Sequence, residues 1–417
     1  MRTPGALCLG LLVLSGSTLA ANRSKEFCAA WTKAAAAGKS YQDTLMTTLE
    51  SLGEMGGDWE RTLNAVAQSA QGSHVAILRG GAADLGEKFS CPAFEAPAGA
   101  PKGVALLQGE QALGINALGT DGKGLYVLRT ARVAGYDKAS LWEVKEKAPV
   151  RVLAEGLPQA SYNAQLAFTS SSVIVTLPNE LVSVPLAGGE AKRLATGLKQ
   201  PWAPTLDGDG LLFIDDQALQ RVPLAGGAVK RLAPLGEYSQ SNVIAVSPGG
   251  FLVGGFNDGR VLRVTRSGAV TTVMDGAYTV FAVGPDLFMR FGSDAAPSQP
   301  NPSIKKFSDL SGRKSEKPAA PRPPPEGVYR LAFADKAPTR VGPWIEGGYP
   351  AVKDGEVFAL EGDFPGRGRL IRWKPGAATP TVVSTPVGDT RLIAVDARRV
   401  YWKDDWFGAL YAAPLGP

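Results

Sequence analysis

The segment LVSVPLAGGEAKRLATGL at residues 181–198 returns as LQRVPLAGGAVKRLAPLG at 219–236, an offset of 38 residues. Each copy reads as a strand ending in Val-Pro-Leu, a tight Ala-Gly-Gly turn and a second strand, which makes the repeated unit a β-hairpin. A period near 40 residues built from hairpins is the mark of a β-propeller, in which no repeat can bury its faces without its neighbours. The 50 Gly and 31 Pro of this 417-residue chain are the punctuation that many short strands need.

Laid along the chain, this pattern gives seven inner strands, starting near Ile115, Ala164, Ala203, Val243, Val280, Ala351 and Leu392. Their second strands are apolar runs such as LYVL at 125–128, VIVTL at 173–177 and LLFID at 211–215. The expected fold is therefore mainly β, a seven-bladed β-propeller with six blades as the alternative, over residues 104–417. The chain stops after the third strand of its last blade, ALYAAP at 409–414, while VALLQ at 104–108 precedes the first inner strand and belongs to no hairpin. That strand is expected to complete the seventh blade and close the ring, leaving no unpaired blade edge. The spacing is broken at about 292–327, a Pro-, Ser- and Lys-rich stretch with little to bury, which reads as a disordered insertion in blade five.

Ahead of the repeats the period changes. Residues 1–20 carry Arg2, an apolar run and then small residues, the form of a secretory signal peptide and too short to span a membrane. Residues 21–95 have helical periodicity, with Phe27, Ala30, Trp31 and Ala34 on one face and Tyr41, Leu45, Leu49 and Leu52 on another. Two weaker segments follow, around Leu63 and Val66 and around Leu78, Ala82 and Phe89. This predicts a small helical module, joined to the propeller by a linker at 96–103. Removal of the signal would leave Cys28 and Cys91, an even pair in an oxidising compartment, for which a disulfide is the default. The expected location is secreted or periplasmic. The balance of 44 Lys and Arg against 39 Asp and Glu is spread along the chain, so no nucleic-acid footprint is expected, and the protein reads as a monomer.

At 400–414, VYWKDDWFGALYAAP resembles the YWTD class of propeller repeats, in which an aromatic pair and an acid on the second strand precede a glycine and the third strand. IAVDARR at 393–399 matches that class too, and the VPLAGG copies look like a hairpin of secreted bacterial propellers of this type. Propellers of the YWTD type commonly have six blades, one fewer than the strands imply here.

Ligands of propellers usually sit at the channel mouth, where loops enter the inner strands and leave the second strands. The entering loops carry Asn116, Tyr162, Asn163, Trp202, Asn242, Tyr278, Tyr349 and Arg391. The leaving loops carry Tyr136, Asp137, Asp216, Asn257, Asp258, Asp363, Asp405 and Trp406. Rings and amides in this arrangement suit a protein, peptide or glycan ligand. The plainer structural reading packs the rings between blades and spends the acids on turns. The alternative function is a metal-dependent propeller hydrolase of the lactonase kind, which holds its metal with inner-strand acids and amides. Asn116, Asn163 and Asn242 have no acid among them, and Asp207, Asp209, Asp215 and Asp216 lack a cation-loop spacing, so neither metal nor cofactor is expected. His74, the single histidine, lies outside the repeats with no nucleophile beside it. A non-catalytic binding or scaffold propeller is the reading these residues favour.

Overall fold

The computed structural model describes residues 23–37, 41–52, 62–63, 66, 74–84, 89–94, 101–133, 136–161, 164–236, 241–255, 260–274, 279–291, 327–342, 350–361, 368–374, 376–387, 392–404 and 407–415. The expected signal segment at 1–20 and residues 292–326 of the Pro-rich stretch lie outside these, as do 96–100 of the expected linker.

Seven four-stranded antiparallel sheets follow one another along the chain, each ordered from an inner strand outward. The inner strands are Ile115–Thr120, Leu166–Phe168, Trp202–Asp207, Ser241–Ser247, Thr279–Val283, Ala351–Lys353 and Ile393–Val395. Each begins within two residues of its expected position. The seventh blade takes its outer strand from the start of the repeat region: Val104–Gln108 pairs antiparallel with Ala409–Pro414. The two ends of the repeat region thus share one sheet, and the seven-bladed ring is closed.

The second strands read as continuous apolar runs because both their faces are covered. Every residue of Gly210–Asp215 and of Gly250–Gly255 is buried. One face meets the preceding blade and the other the following one, as the clusters that join neighbouring blades show. Burying each such Val, Leu or Phe is worth about 1.5–3 kcal/mol, which makes the blade-to-blade sandwich the main source of stability. Outer strands lack a covering neighbour, and Val152, Val270 and Val382 on them are exposed.

The repeated VPLAGG turn has a physical reason in both copies. Gly188 and Gly189 adopt φ of 86° and 118°, and Gly226 and Gly227 adopt 82° and 133°, the region open to glycine and costly for side chains. Pro185 O accepts the Gly188 N–H at 2.9 Å and Pro223 O accepts the Gly226 N–H at 2.8 Å, so the copies close identically. In blades one and two the cation that opens the outer strand reaches the turn of the next blade. Arg151 of blade one donates to Leu186 O at 2.7 Å and to Ala187 O at 3.3 Å. Lys192 of blade two donates to Ala225 O of blade three. Arg151 also pairs at 2.6 Å with Glu143, whose carboxyl burial would raise; hydrogen bonds and charge from Lys145 and Arg151 outweigh that and hold it below the usual range. Each exposed clasp is worth at most about 1 kcal/mol.

Blade one departs from the expected pattern. Its second and third strands, Leu125–Val133 and Tyr136–Val144, stay paired as far as Val133 opposite Tyr136. They run well past the apolar stretches that marked them in sequence, so Tyr136 and Asp137 belong to a strand rather than a loop. At the base of this hairpin Arg129 donates to Leu113 O at 2.8 Å and Glu110 O at 2.6 Å, and its guanidinium lies 4.9 Å from the Trp142 ring centre.

Among the described residues before the propeller, Arg23–Ala35, Tyr41–Ser51 and His74–Asp84 are α-helices, and residues 62, 63 and 66 are helical too. Phe27, Trp31, Leu45, Leu63, Val66, Leu78, Phe89 and Phe94 form one buried cluster, with Cys28 and Cys91 joined as a disulfide at its side. Phe407, from the last turn of blade seven, packs against the same cluster.

Candidate functional site

The channel is lined by the seven inner strands, and three of the expected ligand positions can be placed at its entering end. In blade one the pairing with the second strand slips between Ile115 and Ala117, so Asn116 is the extra residue of a β-bulge. In blade three it slips between Trp202 and Thr205, with Ala203 at φ 52°. In blade four it slips between Ser241 and Val243, which places Asn242 on the bulge. A bulge turns its residue off the regular alternation and is a common device beside binding sites. Asn116 Oδ1 is buried with no hydrogen-bond partner among the described residues. Trp202 is half-buried, and the N–H of the following Ala203 donates to Gln165 Oε1 of blade two at 2.6 Å. Tyr162, Asn163, Tyr278, Tyr349, Arg391 and Trp406 lie outside the described residues, as do Asn257, Asp258, Asp363 and Asp405.

The acids that can be placed are spent on structure. Asp215 Oδ1 accepts the N–H groups of Lys199 and Gln200 at 3.0 and 2.6 Å, sewing the loop that enters blade three to the end of its second strand. Asp216 and Gln217, at φ 48° and 59°, are the two turn residues of the next hairpin. Asp207 and Asp209 both face Arg221, which holds the exposed Asp209 carboxyl below its ordinary range. Among the described residues no three His, Cys, Asp or Glu side chains are grouped to hold a metal ion. No described helix is long and apolar enough to cross a membrane.

A feature that sequence reading missed lies toward the opposite end of the channel, where inner strands turn into second strands. A cavity of about 460 Å³ is lined by residues 118–122 of blade one, Leu166 and Phe168 of blade two, and the inner strands of blades six and seven. The inner strands of blades two, six and seven, which contribute to its lining, are each three residues long. Gly119 lets the Phe168 ring pack close against its backbone at the wall, where a Cβ would lie 2.6 Å from that ring. No single segment signals such a space, since its lining is gathered from residues 118 to 395.

Two tyrosines on the second strands of blades one and seven are tied to acids at the hairpin turns. Tyr126 donates its hydroxyl to Asp121 Oδ2 at 3.3 Å, and Tyr401 donates to Asp396 Oδ2 at 2.6 Å. Burial, then the Asp121 charge, pushes the Tyr126 phenol from 10.0 up to about 12, and burial, then the Asp396 hydrogen bond, raises Tyr401 likewise. The folded state therefore binds these protons more tightly than the unfolded chain. Their contribution to stability is complete below pH 10 and is lost as pH rises through about 12. Denaturant titrations at stepped pH should show stability falling across that window, with a smaller fall for Tyr126→Phe. Phenolate absorbance in which every tyrosine of the native protein ionises near 10 would contradict this.

No family model matches the sequence, and it has no match among curated proteins. Solved structures similar in fold include virginiamycin B lyase from Staphylococcus aureus, with 12% identity, a TM-score of 0.52, and coverage of 76% of this chain and 100% of that one. A catalytically inactive variant of that lyase with quinupristin gives 12% identity and a TM-score of 0.51 over 76% of this chain and 99% of that one. A puromycin-hydrolysing peptidase from Mycobacterium tuberculosis gives 15% and 0.48 over 75% of this chain and 52% of that one. At these identities the likeness to the lyase is one of architecture, and it agrees with the strand order: the chain is a seven-bladed β-propeller.

Proposed function

We propose that this chain is an exported, non-catalytic binding or scaffold propeller that takes a protein, peptide or glycan at the mouth where the inner strands begin. The observation that carries this reading is the coincidence of β-bulges at Asn116, at Trp202 to Thr205 and at Asn242, on the same level of three blades. The slips lie at or beside Asn116, Trp202 and Asn242, the two amides and the indole that sequence reasoning singles out, which supports a shared mouth at that end of the channel. Export is supported by the charged, apolar and small-residue pattern of residues 1–20 and by the Cys28–Cys91 disulfide. A YWTD-like character of the last blade is supported by Trp402, fully buried, and by the buried Asp404, whose Oδ1 accepts the Phe407 N–H at 3.1 Å.

Peptide and glycan arrays probed with the chain lacking residues 1–20 test the reading. Trp202→Ala should weaken a hit by at least tenfold, the loss expected for an aromatic anchor, and Asn116→Ala by less. Binding that survives both changes in folded protein removes this mouth as the site. Metal-dependent hydrolysis of esters or lactones, lost with chelator, would overturn the non-catalytic part.

A further inference from the structure

The geometry points to a second binding site, at the hairpin-turn end of the channel, for a small amphiphilic carboxylate: an apolar body of amino-acid or short-peptide size ending in one negative charge. The cavity of about 460 Å³ falls in the range of small-molecule sites. Its wall is mixed: Leu118, Leu166, Phe168, Val352 and Ile393 give it apolar surface, each left only partly buried by the fold, beside the polar groups of residues 119–122 and Lys353. Apolar surface kept open inside a ring of blades is surface a ligand can cover.

Charge decides the rest. Among the lining side chains Asp121 carries the negative charge and Lys353 the positive one. The Asp121 carboxylate is committed to folding its own turn: Oδ1 accepts the N–H groups of Lys123 and Gly124, both at 2.9 Å, and Oδ2 accepts the Tyr126 hydroxyl. Lys353 is held differently. Its Nζ lies 3.0 Å from Asp354, the adjacent residue, whose side chain is 78% exposed in the Asp-Gly turn. Such a water-screened neighbour pair holds a cation weakly, so the ammonium can be taken over by an incoming carboxylate at little cost. The Thr120 hydroxyl, also on the lining, already accepts the Gly122 N–H at 2.9 Å and retains its own proton to donate. A cation and a hydroxyl donor on the lining, beside five apolar side chains, favour an anion with an apolar tail over a cation or a neutral polar molecule.

This site shares no residue with the mouth of Asn116 and Trp202, so its success or failure is separate from the function proposed above. Calorimetric titration of the folded chain with N-acetyl-leucine and with N-acetyl-leucinamide tests it. The acid should bind about tenfold more tightly than the amide, the advantage of a charge-assisted contact. Lys353→Gln should erase that preference while leaving the amide's affinity in place, and Val352→Trp, which fills the space, should abolish both. If Val352→Trp fails to fold, Lys353→Gln alone still reads the preference. A leucine-terminated tripeptide and its C-terminal amide separate two sources of the same group. Binding of the tripeptide acid assigns the site to peptide termini, and binding of N-acetyl-leucine alone assigns it to free acids. Equal affinity for acid and amide, a preference untouched by Lys353→Gln, or no binding of any probe at millimolar concentration overturns the inference.

Discussion

Leu107→Ala should lower stability by about 2–5 kcal/mol, the cost of emptying a well-packed leucine site, and Leu107→Asp should cost more, because it leaves a carboxylate buried without a partner. Leu107 is 2% exposed and packs with residues of blades seven and one. It sits on Val104–Gln108, the strand that completes blade seven, and pairs there with Leu410. Damage at this place is multiplied. Once the strand peels away, Ala409–Pro414 becomes an unpaired edge and the ring loses its closure, so both unfolding and edge-to-edge association should follow. Val104 supplies the control: it lies on the same strand but is 49% exposed, and Val104→Asp should stay within about 0.5 kcal/mol of the parent. Thermal unfolding, with light scattering to follow association, separates the two variants. A Leu107→Ala protein that unfolds with the parent would mean that this strand does not close the ring in solution.

Removing the disulfide with Cys28→Ala and Cys91→Ala should cost about 4 kcal/mol on the chain-entropy account, given a sequence separation of 63 residues. The loss should fall on the helices first. Helices of 13, 11 and 11 residues are too short to persist alone and depend on the cluster around Phe27, Trp31, Phe89 and Phe94. In that cluster Phe94 meets Trp31 and Phe27 edge-on at 4.6 and 5.7 Å, and Cys91 lies three residues away. Far-ultraviolet circular dichroism should show helix melting at lower temperature while the propeller's transition stays in place. An unchanged helix signal would show that packing, including the Phe407 contact, suffices without the covalent tie.

Most of the architecture could be read from the chain because a propeller writes itself into local patterns. The buried second strands appear as unbroken apolar runs, the turns as Gly pairs, and the closing strand as the one segment left without a hairpin. Blade one shows where this fails. RTARV at 129–133 carries no apolar alternation, and those residues are strand because their backbone pairs with Tyr136 to Ser140. Backbone pairing of that kind leaves no mark on side-chain pattern. The mouth positions were legible as residue types, but the register slips at Asn116, just after Trp202 and at Asn242 are set by strand pairing that no residue type encodes. The task of Asp215 was not legible, because sequence shows a carboxylate without showing the Lys199 and Gln200 N–H groups it serves. The channel cavity was invisible for a further reason: its walls meet only after the ring has closed.

The clasps between blades carry a consequence for how such a ring can be lengthened or shortened. Arg151 belongs to one sheet while the carbonyls it grips belong to the next, and Lys192 repeats the arrangement one blade on. A sheet moved by itself would arrive with a grip that has nothing to hold and a turn that nothing holds. The heritable unit that keeps these two junctions whole is therefore out of phase with the visible one, cut just before the outer strand of a sheet, as the strand borrowed by blade seven already is.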